Sequence, residues 1–433
     1  MNGFTFVHAA DLHLDAPFHG VRAALREETG NEARALAELM PKAGFVALKR
    51  LVDVCLQERA AFLILSGDVL NAAEGSLRAE AGLRDACLKL RDAGIAVFLA
   101  HGNHDPLRER RAVPLPKNVT IFGPEPEVHE LRFGDRAVRV AGISHTRDKE
   151  DRNLAALFPA LEPGAFRIGV LHCALSGRSG PHEAYAPCGL EDLLRVGCDY
   201  WALGHVHTRQ EIRPFGPTGP CIAYPGSLQP LHVRETGEHG CLVVRVTDSA
   251  HTTEFVPLAP IRWEAPEVDL EETGNTLPEL EAFLLDRVCA LRPASESAFP
   301  PPMMPLRLIL SGRTDLHREL AAPQAAAQLR ERLNDALEGS GVWLRDVFVA
   351  PRPPRDMEAL AQRPDLVGAV ARRADAALED GEAEAAAREA LDELFASPRY
   401  TAHIPAPDAA ELRELIRRAK DLCLDLLEAD RCD

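Results

Sequence analysis

Short apolar segments that end in polar clusters recur through the first half of the chain, and they constrain its fold more than any other feature. Predicted β-strands lie at residues 4–10, 62–68, 96–102, 137–143, 166–173 and 199–207. Apolar residues then recur at helical spacing in 45–60 and 77–94, after the first and second strands. Alternation of strands and helices predicts a layered α/β domain.

Three regions are predicted along the chain. Residues 1–255 form the α/β domain, and residues 256–352 form a smaller α+β domain. Residues 353–433 form a helical C-terminal region. Two late strands of the first region, 220–224 and 240–247, are predicted to be antiparallel across a turn-rich segment.

The C-terminal region changes in composition, because alanine and charged residues dominate it beyond residue 355. Its predicted helical segments are 356–376, 382–396 and 408–429. Two interpretations remain open: a docking element for a partner protein, or a plain helical cap on the second region.

Composition limits the class of protein. A chain of 433 residues is expected to form two or three domains, and 46% hydrophobic with 27% charged residues is typical of globular proteins. No apolar segment approaches the ~20 residues that span a bilayer, and no secretion signal is recognisable. The ten cysteines contain no CxxC pair, which argues against a disulfide framework and favours a cytoplasmic location.

The net charge of −17 weighs against tight non-specific binding to DNA, because phosphate contacts need lysine and arginine. The charge is unevenly distributed. Residues 1–255 carry 28 basic and 32 acidic side chains, whereas residues 256–433 carry 21 and 34. The acidity therefore lies mostly in the C-terminal half and does not exclude a nuclease.

Polar clusters follow five of the predicted strands. Because strand carboxyl ends in layered α/β folds face one crevice, these clusters are expected to converge. They are Asp11 with His13; Asp68; Asn103 with His104 and Asp105; His172; and His205 with His207. Oxygen and imidazole ligands without thiolate suit Mn²⁺, Fe²⁺ or Zn²⁺. Seven such ligands exceed the needs of one ion and predict two divalent cations ~3.5–4 Å apart.

The motifs "DLH", "GD", "GNHD", a strand-terminal histidine and "GHVH" resemble, in order, those of the calcineurin-like metallophosphoesterase superfamily. The segments "HAADLHLDAPF", "YPGSLQP" and "HVRETGEHG" resemble SbcD-type DNA repair exonucleases, particularly the YhaO-like branch. The resemblance covers about residues 4–247. It implies a four-layer β-sandwich flanked by helices, followed by an α+β capping domain and C-terminal helices.

The resemblance also implies roles for the clustered residues. One ion is held by Asp11, His13, Asp68 and His207, and the other by Asp68, Asn103, His172 and His205. Asp68 bridges the two ions, and Mn²⁺ is the metal the family usually uses. His104 is the non-ligand histidine that stabilises or protonates the leaving oxygen, and Asp105 orients His104.

The resemblance therefore predicts hydrolysis of DNA phosphodiester bonds in DNA repair, with no covalent enzyme intermediate. It implies a homodimer and an SMC-like or AAA-type ATPase subunit as partner, with no role for a membrane. An alternative is a phosphoesterase acting on a small molecule or protein, which the acidic balance favours. A scaffold without activity is a third possibility, and the intact His104 argues against it.

Several polar residues lie outside these motifs. Asp15 is interpreted as an outer-shell group, a salt-bridge partner or an N-cap for the segment that begins at Pro17, rather than as a metal ligand. His8 and His101 are predicted to be hydrogen-bonded core histidines. Candidates for contacts with the substrate are His145, Arg147, Arg178 and Arg234.

Overall fold

The structure is a computed structural model that describes residues 3–20, 25, 30–71, 75–107, 112–176, 185–247, 250–292, 298–379, 381–395 and 407–429. The chain divides into two compact units. The first comprises Met1–Gly312 and Arg318–Pro351, and the second comprises Arg313–His317 and Arg352–Asp433. The predicted boundary between residues 255 and 256 stays a prediction.

The elements are numbered in chain order. The strands are β1 (Phe4–Ala9), β2 (Phe62–Ser66), β3 (Ala96–Ala100), β4 (Val119–Ile121), β5 (Glu127–Phe133), β6 (Arg136–Gly142), β7 (Phe166–His172), β8 (Tyr200–Gly204), β9 (Gln210–Ile212), β10 (Cys221–Tyr224), β11 (Gly240–Val246), β12 (His251–Pro257), β13 (Glu267–Asp269), β14 (Met304–Arg313) and β15 (Val342–Arg352). The helices are α1 (Asn31–Leu39), α2 (Ala43–Gln57), α3 (Leu77–Asp92), α4 (Leu190–Val196), α5 (Leu277–Ala290), α6 (His317–Leu320), α7 (Ala325–Ala336), α8 (Met357–Gln362), α9 (Leu366–Glu379), α10 (Glu382–Phe395) and α11 (Ala409–Ala429).

Two six-stranded sheets form the centre of the first unit. The first has the order β12-β11-β1-β2-β3-β4, and the second has the order β5-β6-β7-β8-β10-β9. Strands β1 to β4 are parallel to one another, as are β6, β7, β8 and β10, so the carboxyl ends of each parallel set lie at one edge. A smaller sheet, β13-β14-β15, belongs to the same unit.

Alternation along the strands produces two cores on opposite faces of the first sheet. In β2, Phe62 and Ile64 belong to a core shared with the second sheet, whereas Leu63 and Leu65 pack with helices α2 and α3. The outer face of the second sheet packs against α4 through residues such as Trp201. The resulting order of helices, sheet, sheet and helix confirms the predicted four-layer α/β fold.

Local signals account for the main helices. Ser76 is the N-cap of α3, and its hydroxyl accepts a hydrogen bond from the backbone N–H of Ala79. Helix α5 begins with a capping box in which Thr276 and Glu279 bond each other's backbone. In the second unit, α8, α9 and α11 bury a small core that includes Leu360. No helix in the described ranges is long and apolar enough to cross a membrane.

One predicted pairing is wrong. The segments 220–224 and 240–247 do form strands, but they belong to different sheets. Strand β10 is parallel to β8 and antiparallel to β9, while β11 is antiparallel to β1 and β12. The segment between them is therefore a crossing between sheets, because β10 belongs to the second sheet and β11 to the first.

Candidate metal centre

The loops that follow β1, β2 and β8 contain an unusual concentration of strained backbone. Asp11, His13, Asp68 and His205 have φ values of 51°, 41°, 49° and 101°. Residues other than glycine rarely adopt such values, and those that do cluster at functional sites. All four are predicted metal ligands, so the fold holds these side chains in place at a conformational cost.

Two glycines allow the strand ends of the two sheets to meet. A Cβ atom on Gly204 would lie 2.0 Å from the carbonyl oxygen of Ser66, which belongs to the other sheet. A Cβ atom on Gly67, whose φ is +97°, would lie 2.2 Å from Nδ1 of His172. Any larger residue would force the sheets apart and separate the predicted ligands.

One group of candidate ligand atoms lies within 4.8 Å of one another in Asp11, His13 and His207. The two imidazole Nε2 atoms are 3.3 Å apart, and Nδ1 of His207 donates to Oε1 of Glu235 at 2.8 Å. Burial opposes protonation of His207, but the hydrogen bond to Glu235 raises its pKa to about 9. Burial lowers the pKa of His13 to about 3, so His13 is neutral. Its Nε2 atom therefore accepts a hydrogen bond from the Nε2–H group of His207.

A second group is formed by Asp11, Asp68 and His172. Nε2 of His172 lies 3.2 Å from Oδ2 of Asp68 and 3.1 Å from Oδ1 of Asn103, and its Nδ1 faces the carbonyl oxygen of Ser66 at 3.0 Å. Burial disfavours a charged His172, but Asp68 raises its pKa to about 9. Burial also disfavours a charged Asp68, yet His172 holds the pKa of that carboxyl well below its usual range.

The residues present fit a pair of divalent cations. Despite burial, the neighbouring carboxylates raise the pKa of both His172 and His207, and cations placed among these groups would balance the same carboxylates. Asp11 is common to both groups, and burial raises its pKa to about 6. Oδ2 of Asp68 lies 3.8 Å from Nε2 of His13 and close to His172, so Asp68 stands between the groups. Its bridging role stays a prediction.

His205 joins the cluster through both backbone and ring. Its backbone N–H donates to both carboxylate oxygens of Asp11 at 3.1 Å, and its ring lies edge-on to His172 with centroids 5.4 Å apart. The structure therefore brings all seven predicted ligands together. Six of them are buried, and the seventh, His207, is partly exposed.

His104 is the exposed member of the cluster, as a group that must reach the substrate should be. Its ring lies edge-on to His13 with centroids 4.9 Å apart, and its backbone N–H donates to Oδ1 of Asp68 at 2.8 Å. It thus stands beside the candidate ligands.

Among the described residues, no hydrogen bond joins the Asp105 carboxylate to the imidazole of His104, so the role of Asp105 in orienting His104 stays a prediction. The Asp105 carboxylate accepts from the backbone N–H groups of Gly102, Val69 and Leu70 at 2.9, 3.1 and 3.2 Å. A buried carboxylate so close to three amide groups bonds them first. Asp105 therefore ties the loop after β3 to the loop after β2, and the imidazole is left to face outward.

His145 does not line the cleft, which corrects its assignment as a substrate contact. It is fully buried, and its Nε2 donates to the carbonyl oxygen of His172 at 2.6 Å. It therefore supports a candidate ligand from behind. Arg147 is exposed, Arg234 is exposed beside a cavity, and Arg178 lies outside the described residues.

Asp15 acts as a salt-bridge partner, one of its three predicted roles. Its carboxylate accepts hydrogen bonds from the Ser76 hydroxyl at 2.5 Å and from Arg78 at 3.2 Å, at the start of α3. No helix follows Pro17 directly in the described chain, so an N-cap role there is wrong.

The two predicted core histidines are confirmed as buried and hydrogen-bonded. His8 contacts the hydroxyl groups of Tyr200 and Ser66, at 2.9 and 2.8 Å. Nδ1 of His101 donates to the backbone carbonyl oxygen of Asp105 at 2.6 Å.

Glu235 is the residue that the sequence reasoning missed. Besides accepting from His207, its carboxylate accepts the backbone N–H of Leu231 at 2.8 Å, which fixes its position. Burial disfavours a charged Glu235, but the hydrogen bond from His207 lowers its pKa to about 2. The signal was available in "HVRETGEHG", a polar segment between two predicted strands that supplies a carboxylate.

Comparison with protein families agrees with this geometry. The family model described as calcineurin-like phosphoesterase matches residues 4–209. Residues 4–209 are therefore similar to calcineurin-like phosphoesterases. A second model, the middle domain of metallophosphoesterase YhaO, matches residues 263–352. A region similar to calcineurin-like phosphoesterases is therefore followed by a region similar to the YhaO middle domain.

The similarity to individual relatives covers only part of this chain and part of each relative. The uncharacterized metallophosphoesterase YhaO of Bacillus subtilis is 35% identical over 64% of this chain and 65% of its own. The DNA double-strand break repair protein Mre11 of Aeropyrum pernix is 26% identical over 62% and 64%, and that of Thermoplasma acidophilum is 28% identical over 42% and 49%. The chain thus spans less than two thirds of these relatives.

A solved structure is also similar. It is a dimetal phosphatase from Danio rerio with a TM-score of 0.37 and 11% identity, over 58% of this chain and 95% of that one.

Proposed function

We propose that this phosphoesterase hydrolyses phosphodiester bonds in DNA with two divalent cations, Mn²⁺ being the metal we expect, and that it serves DNA repair as an exo- or endonuclease. The observation that carries the hydrolytic part is the exposed His104 beside two groups of buried candidate ligands. The similarity to archaeal Mre11 proteins, which are named for DNA double-strand break repair, supports DNA as the substrate.

The residues of this chain divide the chemistry between them. Bound cations of this type lower the pKa of water and neutralise charge on phosphoryl oxygens. Asp11, Asp68, Asn103 and the four clustered histidines would bind and position them. His104 donates a proton to the departing 3′ oxygen, a contribution of about 10²–10⁴ in rate. Asp105 keeps the loop of His104 in place through the backbone amides.

A matched pair of variants tests the proposal. We expect His104→Ala to lower Mn²⁺-dependent cleavage of linear duplex and single-stranded DNA by about 10²–10⁴ while retaining the metal. His129→Ala, which removes a half-exposed imidazole from the edge strand β5, should cleave like the wild type. Rapid turnover of a small chromogenic diester by a wild-type protein that leaves DNA intact would overturn DNA as the substrate.

A second candidate is a phosphoesterase for a small molecule or protein. It is favoured by the net charge of −17, which repels a polyanion such as DNA. The same assay decides between the two, because the candidates share their chemistry and differ in substrate.

The partners are proposals that follow from the nuclease assignment. We propose a homodimer that works with an SMC-like or AAA-type ATPase, contacted by the C-terminal helices α9, α10 and α11. Exposed leucines on α11 (Leu415, Leu422 and Leu426) support a protein contact there.

A cytoplasmic location is also proposed, and the nine cysteines of the described residues, all free, support it.

A further inference from the structure

A cavity of about 860 Å³ opens beside the candidate metal centre, on the side of His207. Its lining includes His207 and Glu235, which belong to the centre, together with Arg209 and Arg234. A substrate bound at the centre would therefore extend past these two arginines. Neither residue is used by the hydrolytic chemistry described above.

Arg209 and Arg234 differ from the arginines around them. Arg213, Arg245 and Arg262 each contact a glutamate carboxylate at 2.5–2.8 Å. The side chains of Arg209 and Arg234 are exposed and form no hydrogen bond or ion pair with another described residue. In a chain with an excess of carboxylates, two guanidinium groups without an anionic partner are available for an anion from outside.

Both arginines lie on segments that are fixed to His207. A Cβ atom on Gly226 would lie 2.7 Å from the carbonyl oxygen of His207 and 3.1 Å from the backbone nitrogen of Arg209, so this segment is tightly packed. The Arg209 guanidinium also lies 4.5 Å from the ring centroid of Phe255. Arg234 directly precedes Glu235, the residue that bonds His207. The backbone segments that carry the two charges are thus fixed beside the centre.

We propose that Arg209 and Arg234 form a phosphate subsite that binds the backbone of a nucleic-acid strand next to the phosphodiester being cleaved. The proposal rests on the proposed function, because only a substrate with several phosphates needs a second phosphate site. Guanidinium groups bind phosphate oxygens through paired N–H donors, so arginine suits this role better than lysine. The subsite selects for strands over small diesters that carry one phosphate.

Binding without metal tests the subsite apart from catalysis. In EDTA, fluorescence anisotropy of a short labelled single strand is measured across a range of salt concentrations. We expect the double variant Arg209→Gln/Arg234→Gln to lose about 1.4 from the slope of log K against log salt, about 0.7 for each phosphate contact. Arg209→Lys/Arg234→Lys keeps the charge and should keep the slope.

A third variant, Arg245→Gln, removes the same charge from an arginine that is paired with Glu58 and Glu254. Its slope should match that of the wild type. The proposed subsite would be refuted if Arg209→Gln/Arg234→Gln kept the wild-type slope. It would also be refuted if the wild-type protein did not bind the strand.

Cleavage assays with Mn²⁺ separate the subsite from the proposed function. The ratio of kcat/KM for an oligonucleotide to kcat/KM for a one-phosphate chromogenic diester should fall about tenfold or more in the glutamine pair. A strand that binds through the arginines but is never cleaved would refute the nuclease and leave the subsite standing. Equal losses for both substrates would refute the subsite, because the arginines would then act on the centre itself.

Discussion

The two halves of the candidate metal centre differ in how they are enclosed. The sealed half consists of Asp68, Asn103 and His172, and the side chains of His172 and Asp68 are 0% and 2% exposed. The open half consists of His13, His207 and Glu235, and the side chains of His207 and Glu235 are 20% and 19% exposed. The first half is closed by packing of the two sheets, whereas the second borders a cavity.

The two halves also differ in what supports their histidines. His172 is held by a backbone carbonyl oxygen of β2, an acceptor that no side-chain substitution removes. His207 is held by the carboxylate of Glu235, which comes from a loop 28 residues away. The comparison teaches that substitutions in the sealed half should mainly lower stability, while substitutions behind the open half should mainly lower metal affinity.

The largest effect is expected from Asp68→Asn. Without metal, this change leaves His172 buried without its ionic partner, and loss of one member of a buried pair costs about 3–5 kcal/mol. Urea unfolding in EDTA measures the free energy of unfolding. Asp92→Asn, at the exposed end of α3, is the control and should change it little. A loss for Asp68→Asn below about 1 kcal/mol would contradict the description of this half as sealed.

Glu235→Ala should have the next largest effect, on metal binding. Removal of a carboxylate that orients a ligating histidine typically costs about 10–100-fold in metal affinity. Calorimetric titration of the metal-free protein with Mn²⁺ should show one of two binding events weakened. Glu235→Gln, which still accepts a hydrogen bond, should lose less.

Glu238→Ala is the matched control for Glu235→Ala, because it removes an exposed carboxylate from the same loop. Both binding events should be retained in this variant. Equal weakening of the two events in Glu235→Ala would show that the halves are not supported separately.

A smaller effect is expected on the pH dependence of stability, through His8, which contacts the hydroxyl group of Ser66 at the end of β2. Burial lowers the pKa of His8 to about 3, against about 6.5 when unfolded. Below pH 6.5 the unfolded chain therefore binds a proton that the folded protein refuses, and stability falls as the pH falls towards 3. The slope is about 1.4 kcal/mol for each pH unit. Unfolding at several pH values should show a shallower dependence in His8→Gln, and an unchanged slope would contradict the neutral, buried state.

The clustering of the candidate ligands could be predicted from the sequence because each motif is short and contiguous. A carboxylate or imidazole directly after an apolar segment, as in Asp11 and His172, reports both the strand and its end. Strands that are buried on both faces could also be predicted, because they appear in the sequence as continuous apolar segments, as in β2. The edge strand β5 alternates half-buried and exposed residues, and its polar sequence gave no signal.

Contacts between distant segments could not be predicted. The partners of β10 and β11 depend on which sheet each strand enters, and neither sequence encodes that choice locally. Asp105 and Glu235 are similar cases, because a carboxylate's partner depends on which amide or imidazole the fold brings within reach. The sequence indicates that such a residue is polar and well placed, and the structure decides what it bonds.

The smallest effect is expected from Asp15→Asn, and it tests the edge of the open half. Asp15 lies two residues after His13, yet its carboxylate bonds Ser76 and Arg78. Since the Arg78 side chain is 53% exposed, the ion pair should contribute about 0.2–1 kcal/mol, and unfolding in urea should show a loss of that size. Mn²⁺ titration should show two unchanged binding events, because the Asp15 carboxylate bonds Ser76 and Arg78 at the start of α3. Loss of one event would make Asp15 a ligand and would extend the open half by one carboxylate.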